Sequence, residues 1–280
     1  MIFLGMIHMV ITDLDGTLLN SEQKVSRSDY DCLDELGKQG IVRVIATGRS
    51  PYSFSTVIPE DFPIDFLVFS SGAGVMDWSS GEILSSYSLT EEKVHELVLL
   101  FRNENISFKV LKPAPDNHKF HYFHNGNTHP DFDKRMEYYR GFEKEIKFDP
   151  PNYGKASQFL IILSELKEFH RLSELCAEVK VIRATSPLDH KSIWMEVFHP
   201  DVSKGNACQF LGRYLGIDQK NTVGIGNDYN DIDLLEFTNQ SFVVENAPEE
   251  LTKSYRVVSS NKNSGFSMAV NTAGILTLPF

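Results

Sequence analysis

Four clusters of polar and small residues in this 280-residue chain could do chemistry together. They are Asp13-Leu14-Asp15-Gly16-Thr17, Thr47-Gly48-Arg49, Ser71-Gly72-Ala73 and Gly226-Asn227-Asp228-Tyr229-Asn230-Asp231. In the first, Asp13 and Asp15 stand two residues apart and Gly16 makes a turn. Carboxylates that close repel unless a proton, a cation or hydrogen-bond donors sit among them. An oxygen-rich site of this kind suits Mg²⁺. A metal beside a carboxylate also lets an anionic nucleophile approach an anionic phosphate. Taken alone, the same five residues could also be a turn with N-capping aspartates.

The elements that must position these clusters can be read from periodicity. Ile7–Thr12 is a strand-like run that ends in Asp13. Asp29–Lys38 has helical spacing and is stopped by Gly40. Ile41–Ala46 is a β-branched run leading into Thr47, and Phe66–Phe69 is a third short apolar run. A βαβαβ rhythm predicts a parallel sheet with right-handed crossovers. The rhythm resumes after Ile193–Phe198, with Ser203 as a helix cap, a strand at Thr222–Ile225 and a closing helix at Gly265–Ala273. Between them the texture changes. Glu91–Asn105 is a long amphipathic helix, Ile106–Leu111 and Lys119–Phe123 alternate apolar and polar, and prolines punctuate the loops. The predicted fold class is α/β: a doubly wound, Rossmann-like parallel-sheet core with an inserted α+β cap. The core spans 1–83 and 191–280, and the cap spans 84–190. All four clusters follow core strands, and ligands of doubly wound sheets bind outside the carboxyl ends of the strands.

Composition narrows the partners. Lys+Arg is 27 and Asp+Glu is 38, a formal net charge of −11. That balance argues against nucleic-acid polymers and anionic membranes, but a metal can reverse the field within one cleft. Nearly all the acidity falls outside 84–190. Cys32, Cys176 and Cys208 are widely spaced and odd in number, which reads as reduced thiols of a cytoplasmic protein. The N-terminal apolar run lacks a basic start and a cleavage site, and no stretch is long enough to span a bilayer. The expected state is a monomer or weak homo-oligomer.

With these residues in place a resemblance emerges. Asp13-Leu14-Asp15-Gly16-Thr17-Leu18-Leu19 resembles the first motif of the haloacid dehalogenase-like hydrolases. Thr47, Lys204 and Gly226–Asp231 are similar to that family's second, third and fourth motifs, in order and placement. The inserted segment and the returning Asp201-Val202-Ser203-Lys204-Gly205 resemble the Cof-type sugar-phosphatase branch. This resemblance implies a Mg²⁺-dependent phosphatase acting on small phosphorylated metabolites: sugar phosphates, nucleotides or phosphorylated cofactors. Asp13 would be the nucleophile that forms an aspartyl phosphate. Asp15 would be the general acid and base, and its main-chain carbonyl would ligate Mg²⁺. The Thr47 hydroxyl and the Lys204 ammonium would hold phosphoryl oxygens. A lysine opening a helix opposes the macrodipole, so an anion beside Lys204 would rationalise it. Candidates for phosphate or substrate contact are Leu14, Gly16, Gly48, Arg49, Ser71, Gly72 and Asn230, with Arg49 equally able to pair with a carboxylate. Cap closure would exclude water and set specificity.

The fourth motif departs from the branch pattern, Gly-Asp-x-x-Asn-Asp, by carrying Asn227 where the first acidic ligand usually sits. Asn227 and Asp231 are the expected metal ligands beside Asp13 and Asp15, with Asp228 an alternative. Asn supplies an oxygen but no charge. A phosphomannomutase-like mutase, and a non-catalytic regulatory protein on a phosphatase scaffold, stand as alternatives. In the cap, His118, His121, His124 and His129 invite a zinc reading. A step of three along a strand puts neighbours on opposite faces, so they are expected to be exposed. Phe120, Tyr122, Phe123, Tyr138, Tyr139 and Phe142 are expected in the cap's own core or on its sheet face.

Overall fold

The computed structural model of the chain describes residues 8–127, 129–186, 188–189 and 191–276. Residues 1–7, part of the N-terminal run read above for a leader, lie outside them. So do His190, the predicted end of the cap, and 277–280, the predicted end of the core.

The chain opens with β1 (Met9–Thr12), α1 (Arg27–Lys38), β2 (Val42–Ala46), α2 (Pro51–Ser55) and β3 (Phe66–Phe69). Next come β4 (Gly74–Asp77) and β5 (Ile83–Ser86). The middle of the chain forms α3 (Glu91–Asn103), β6 (Phe108–Leu111), β7 (Phe120–Phe123), α4 (Pro130–Tyr138) and β8 (Glu143–Glu145). It continues with β9 (Gln158–Leu163), α5 (Leu166–Leu175), β10 (Lys180–Thr185) and β11 (Ile193–Phe198). The chain then builds α6 (Lys204–Leu215), β12 (Thr222–Gly226), α7 (Ile232–Phe237) and β13 (Gln240–Val244). It closes with α8 (Glu249–Ser254), β14 (Arg256–Val258) and α9 (Gly265–Thr272). Two compact units result. One comprises 1–49, 53–85 and 203–280; the other comprises 50–52 and 86–202.

The first unit is built on a sheet of order β14-β13-β12-β1-β2-β3-β4-β5. From β14 to β3 every pairing is parallel. β1 and β3 are buried along their whole length, which explains why they read as continuous apolar runs rather than alternating ones. Met9, Ile11, Val44, Ala46 and Val68 pack on one face against Ala207, Cys208 and Leu211 of α6 and Leu234 of α7. β4, antiparallel to β3, is an addition that the sequence pattern did not predict. It is too short to show a period of its own.

Asp29 joins α1 to α9. Its Oδ1 accepts from the Ser267 N–H at 2.9 Å and from the Ser267 hydroxyl at 2.7 Å, while Oδ2 accepts from the Ser26 hydroxyl at 2.8 Å. Burial raises its carboxyl above the ordinary range, against the lowering effect of those hydrogen bonds. Asp29→Ala would leave these donors without their acceptor, at a cost of about 2–4 kcal/mol. Asp29→Asn keeps an acceptor toward Ser267 and should lose much less, as the midpoint of urea unfolding would show.

The second unit holds a sheet of order β10-β11-β9-β6-β7-β8, with β7 and β8 parallel and the other pairings antiparallel. β6, β9 and β11 are buried along their whole length, so the half-exposed alternation expected of Ile106–Leu111 is not what the sheet shows: successive residues face two apolar clusters. Phe108, Val110, Phe159 and Ile161 pack with Leu97 and Phe101 of α3 and Leu172 of α5. Leu111, Phe120, Leu160 and Trp194 pack with Phe132 of α4. Return to the first unit comes at Ser203, not at 191. The reason is β11, which pairs on both sides inside the second sheet, with β10 and β9. The cap aromatics fall mostly as expected: Phe120 is buried, and Tyr122 and Tyr139 pack beside that cluster. Tyr138, however, is exposed. The histidines correct the expectation of exposure: His121 is buried, and His118, His124 and His129 are half-buried. His118 stacks on Tyr52 and meets Phe142 edge-on. Among the described residues no helix is long and apolar enough to cross a membrane.

Candidate active site

Sheet register assembles the site within the first unit. Thr12 lies opposite Ile225 on one side and Ile45 on the other. One step further on, Asp13 is level with Gly226 and Ala46, and its N–H donates to the Ile225 carbonyl at 2.8 Å. Thr47 and Asn227 therefore flank the carboxyl end of β1. The chain winds outward from β1 in one direction through β2 and β3. It returns to lay β12, β13 and β14 on the other side. The gap between β1 and β12 is thus the topological switch point, where such sheets open a crevice.

Lys204 is the first residue of α6, which is capped by the Ser203 hydroxyl accepting from the Asn206 N–H at 3.0 Å. The lysine is completely buried. Its Nζ donates to Asp13 Oδ1 at 2.6 Å and to Asp231 Oδ1 at 2.5 Å. Burial by itself would lower this ammonium, but Asp13 and Asp231 outweigh it and hold Lys204 above its ordinary value. Asp13 moves from 3.8 to about 7, chiefly by burial and next by the charge of Asp231, with Lys204 opposing. Both Asp231 oxygens are engaged by protein donors. Its Oδ2 accepts from the N–H groups of Asn227 at 2.8 Å and Asp228 at 3.0 Å. Asp231, named above among the expected ligands, anchors Lys204 and orients the fourth loop. Asp228 caps the turn at Tyr229–Asp231.

Asn227 faces the first cluster directly. Its amide nitrogen lies within donating distance of three acceptors, Asp13 Oδ2 at 3.1 Å, the Asp15 carbonyl at 3.2 Å and Thr17 Oγ1 at 3.0 Å. Asp13 Oδ2, the Asp15 main-chain oxygen and the end of the Asn227 amide therefore converge on one small space. The two oxygens, joined by the amide oxygen were that end of Asn227 turned inward, would suit a hard divalent cation. The charges agree, because Lys204 is one cation between two carboxylates. Among the described residues no group of three or more His, Cys, Asp or Glu side chains could hold a metal. That follows here because one donor is a backbone carbonyl and another an amide.

Asp15 is held by Arg49. Two parallel bonds, Nε to Oδ2 and Nη2 to Oδ1, both measure 2.7 Å. Of the two expectations for Arg49, the pairing with a carboxylate is the one present. The buried Thr47 hydroxyl accepts from the Arg49 N–H at 3.1 Å. Its main-chain oxygen accepts from the Ser71 N–H at 2.9 Å, and that of Arg49 from the Ser70 N–H at 2.8 Å. Ser70 and Ser71 both adopt positive φ, 48° and 56°, a conformation that non-glycine residues rarely hold without compensating bonds. Ser71 Oγ and Asn230 Nδ2 lie beside Gly48, 3.6 and 3.9 Å from where a Cβ would stand. So the second, third and fourth clusters meet as expected. Gly72 is required by packing, since at φ +100° a Cβ would sit 2.1 Å from the Ser203 carbonyl. Gly16, at φ +82°, has room for no side chain against Asn227, and Leu14 is wholly buried.

The sequence did not single out Thr17 or Asn246 as site residues. Asn246 donates to the Gly16 carbonyl at 2.8 Å and steadies the first loop. Thr17 could have been found, since it belongs to the first cluster. Asn246 carries no local signal.

A model of the haloacid dehalogenase-like hydrolase family matches residues 10–270. A Buchnera aphidicola chain, provisionally named a phosphatase, is 27% identical over 272 residues, covering 95% of each chain. The Bacillus subtilis 5-amino-6-(5-phospho-D-ribitylamino)uracil phosphatase is 22% identical over 278 residues, covering 94% of this chain and 96% of its own. A phosphatase of the haloalkanoate enzyme superfamily from Bacteroides thetaiotaomicron superposes with a TM-score of 0.80 at 21% identity. That alignment covers 99% of this chain and 98% of the other.

Proposed function

The chain belongs to the haloacid dehalogenase-like hydrolases, and from that footing we propose that it is a Mg²⁺-dependent phosphatase of small phosphomonoesters, of the Cof-type branch. The observation that carries the reading is the buried Asp13–Lys204–Asp231 array at the end of β1, with Asp15 and Thr47 beside it. Candidate substrates are sugar phosphates, nucleotides and phosphorylated cofactors. The −11 charge supports small metabolites over nucleic-acid polymers. Three buried free cysteines support a reducing, cytoplasmic setting.

Asp13 Oδ2, the Asp15 carbonyl and the Asn227 amide oxygen would hold Mg²⁺, which supplies charge neutralisation between nucleophile and phosphate. Asp13 Oδ1, fixed by Lys204, attacks phosphorus and forms the aspartyl-phosphate bond as the phosphorus–oxygen bond to the leaving group breaks. Asp15 delivers a proton to the departing alkoxide. It then takes a proton from the water that attacks the aspartyl phosphate, releasing inorganic phosphate and restoring Asp13. Lys204 and the Thr47 O–H stabilise charge on the phosphoryl oxygens. The main-chain N–H groups of Leu14 and Gly16 turn toward the same anion. The insertion supplies specificity for the leaving group.

Arg49 acts by positioning. Both Asp15 oxygens accept from its guanidinium, which fixes the plane of the carboxylate and leaves a second lone pair on each oxygen for proton transfer. Arg49→Ala should lower kcat by roughly 10–100-fold through loss of that orientation. Arg49→Lys should recover only part, because an ammonium cannot make two parallel bonds. Separate kcat and KM values would show it. The function itself is tested by a screen of phosphomonoesters with the purified protein. Phosphate release that requires Mg²⁺, without a bisphosphate activator, is expected. Absence of release from every sugar phosphate, nucleotide and aryl phosphate would overturn the reading.

A further inference from the structure

The loop that follows β1 turns three of its main-chain oxygens toward three asparagines. Its Leu14 carbonyl is taken up within the loop, accepting from the N–H groups of Thr17, Leu18 and Leu19 at 3.3, 3.0 and 2.8 Å. The Asp15 carbonyl faces the end of Asn227 at 3.2 Å. The Gly16 carbonyl accepts from Asn246 Nδ2 at 2.8 Å, and the Leu19 carbonyl accepts from Asn261 Nδ2 at 2.8 Å. These asparagines follow β12, β13 and β14, which lie in that order outward from β1. Asn246 and Asn261 also hold each other, because the Asn261 N–H donates to Asn246 Oδ1 at 3.0 Å. A main-chain N–H can only donate, so that bond sets the Asn246 amide with its oxygen toward Asn261 and its nitrogen toward Gly16. The Asn246 backbone is fixed on either side. The Glu245 N–H donates to the Val258 carbonyl at 3.0 Å, and the Ala247 N–H to the Val244 carbonyl at 2.9 Å.

We propose that Asn246, backed by Asn261, is a positioning residue that keeps the Asp15 carbonyl aimed at the place a divalent cation would take. This rests on the reading of the Asp13 site as Mg²⁺-dependent. Gly16 joins the two peptide units concerned and stands at φ +82°. Glycine turns freely about its own backbone bonds, so Gly16 by itself does not set the direction of the Asp15 carbonyl. The next carbonyl along sets it, pinned by Asn246, together with the Leu19 end of the loop, pinned by Asn261. Both asparagines act through the main chain. Groups that orient a metal ligand from behind commonly carry about 10–100-fold in metal affinity. Asn261 is buried and ties down the base of the loop, whereas Asn246 is exposed and can be substituted without opening the core.

Wild type, Asn246→Ala, Asn246→Gln and Asn261→Ala test this, each treated with a chelator and then titrated with MgCl₂ while the melting temperature is followed. Without metal, Asn246→Ala is expected to melt within about 2 °C of wild type, since only an exposed hydrogen bond is lost. Its half-saturation should need roughly tenfold more MgCl₂. Asn246→Gln keeps an amide donor and should regain most of that affinity. Asn261→Ala keeps the main-chain N–H that orients Asn246, so its affinity should fall less, while its metal-free form should melt lower. Half-saturation of Asn246→Ala at the wild-type concentration overturns the proposal. So does a loss of affinity confined to Asn261→Ala. A second measurement needs no metal. The Thr17, Leu18 and Leu19 amides should exchange hydrogen roughly fivefold faster in chelated Asn246→Ala than in chelated wild type. Unchanged exchange overturns the proposal. Neither readout uses turnover. A wild type that MgCl₂ does not stabilise overturns the Mg²⁺ reading instead, while the exchange rates still report whether Asn246 holds the loop.

Discussion

Asp13→Asn is expected to abolish hydrolysis of a generic aryl phosphate, by about 10⁴-fold or more, while leaving the protein folded. A carboxamide cannot form the acyl-phosphate bond, and removal of a covalent nucleophile forfeits most of the catalysed route. The fold should survive because asparagine is nearly isosteric and still offers an acceptor to Lys204 Nζ, which sits 2.6 Å from Asp13 Oδ1. Circular dichroism and phosphate release, measured on the same sample, decide it. Full residual activity would sink the mechanism. The same variant carries a signature in stability. Burial raises Asp13 from 3.8 to about 7 in the folded chain. The folded protein therefore binds more protons than the unfolded one between those values. The stability this supplies is complete below about 4 and is lost as pH rises through about 7. Chelator-treated wild type should lose melting temperature between pH 5 and 8 relative to Asp13→Asn. An identical pH slope in both proteins would show that Asp13 titrates normally.

Lys204→Met should be the most destabilising of the site substitutions. Methionine fills much the same space but leaves Asp13 and Asp231 facing each other, buried and without their cation. Breaking a buried ion pair by removing one partner costs about 3–5 kcal/mol, and here one lysine serves two carboxylates. For a chain of this size that corresponds to roughly 6–15 °C in Tm. Activity should fall by at least about 10²–10³-fold as the phosphoryl oxygens lose a cation. The stability loss should shrink toward pH 5, where Asp13 takes up a proton and the repulsion relaxes. A variant that melts with wild type at pH 8 would mean that the carboxylates are solvated rather than bound to Lys204.

Much of this site is legible in the sequence because its parts follow apolar runs whose ends are local events. Asp13, Thr47 and Ser71 close three such runs, and Ser203 announces the helix that Lys204 opens. Boundaries were less legible where a strand's partner is remote. Ile193–Phe198 reads as a buried strand wherever it pairs, and only its neighbours β9 and β10 assign it to the second unit.

The sequence by itself determined the parallel α/β core with an inserted segment, the four clusters and the residue types that carry their chemistry. Burial period, caps and turn residues are properties of neighbours along the chain. Only the tertiary structure decided what each polar atom faces. It set Asp231 onto Lys204 and two backbone N–H groups. It closed Arg49 on Asp15 and set the Asn227 amide against three acceptors. Those choices depend on sheet register, which brings residues more than 200 positions apart within hydrogen-bond distance, and on a buried setting where every donor must find an acceptor.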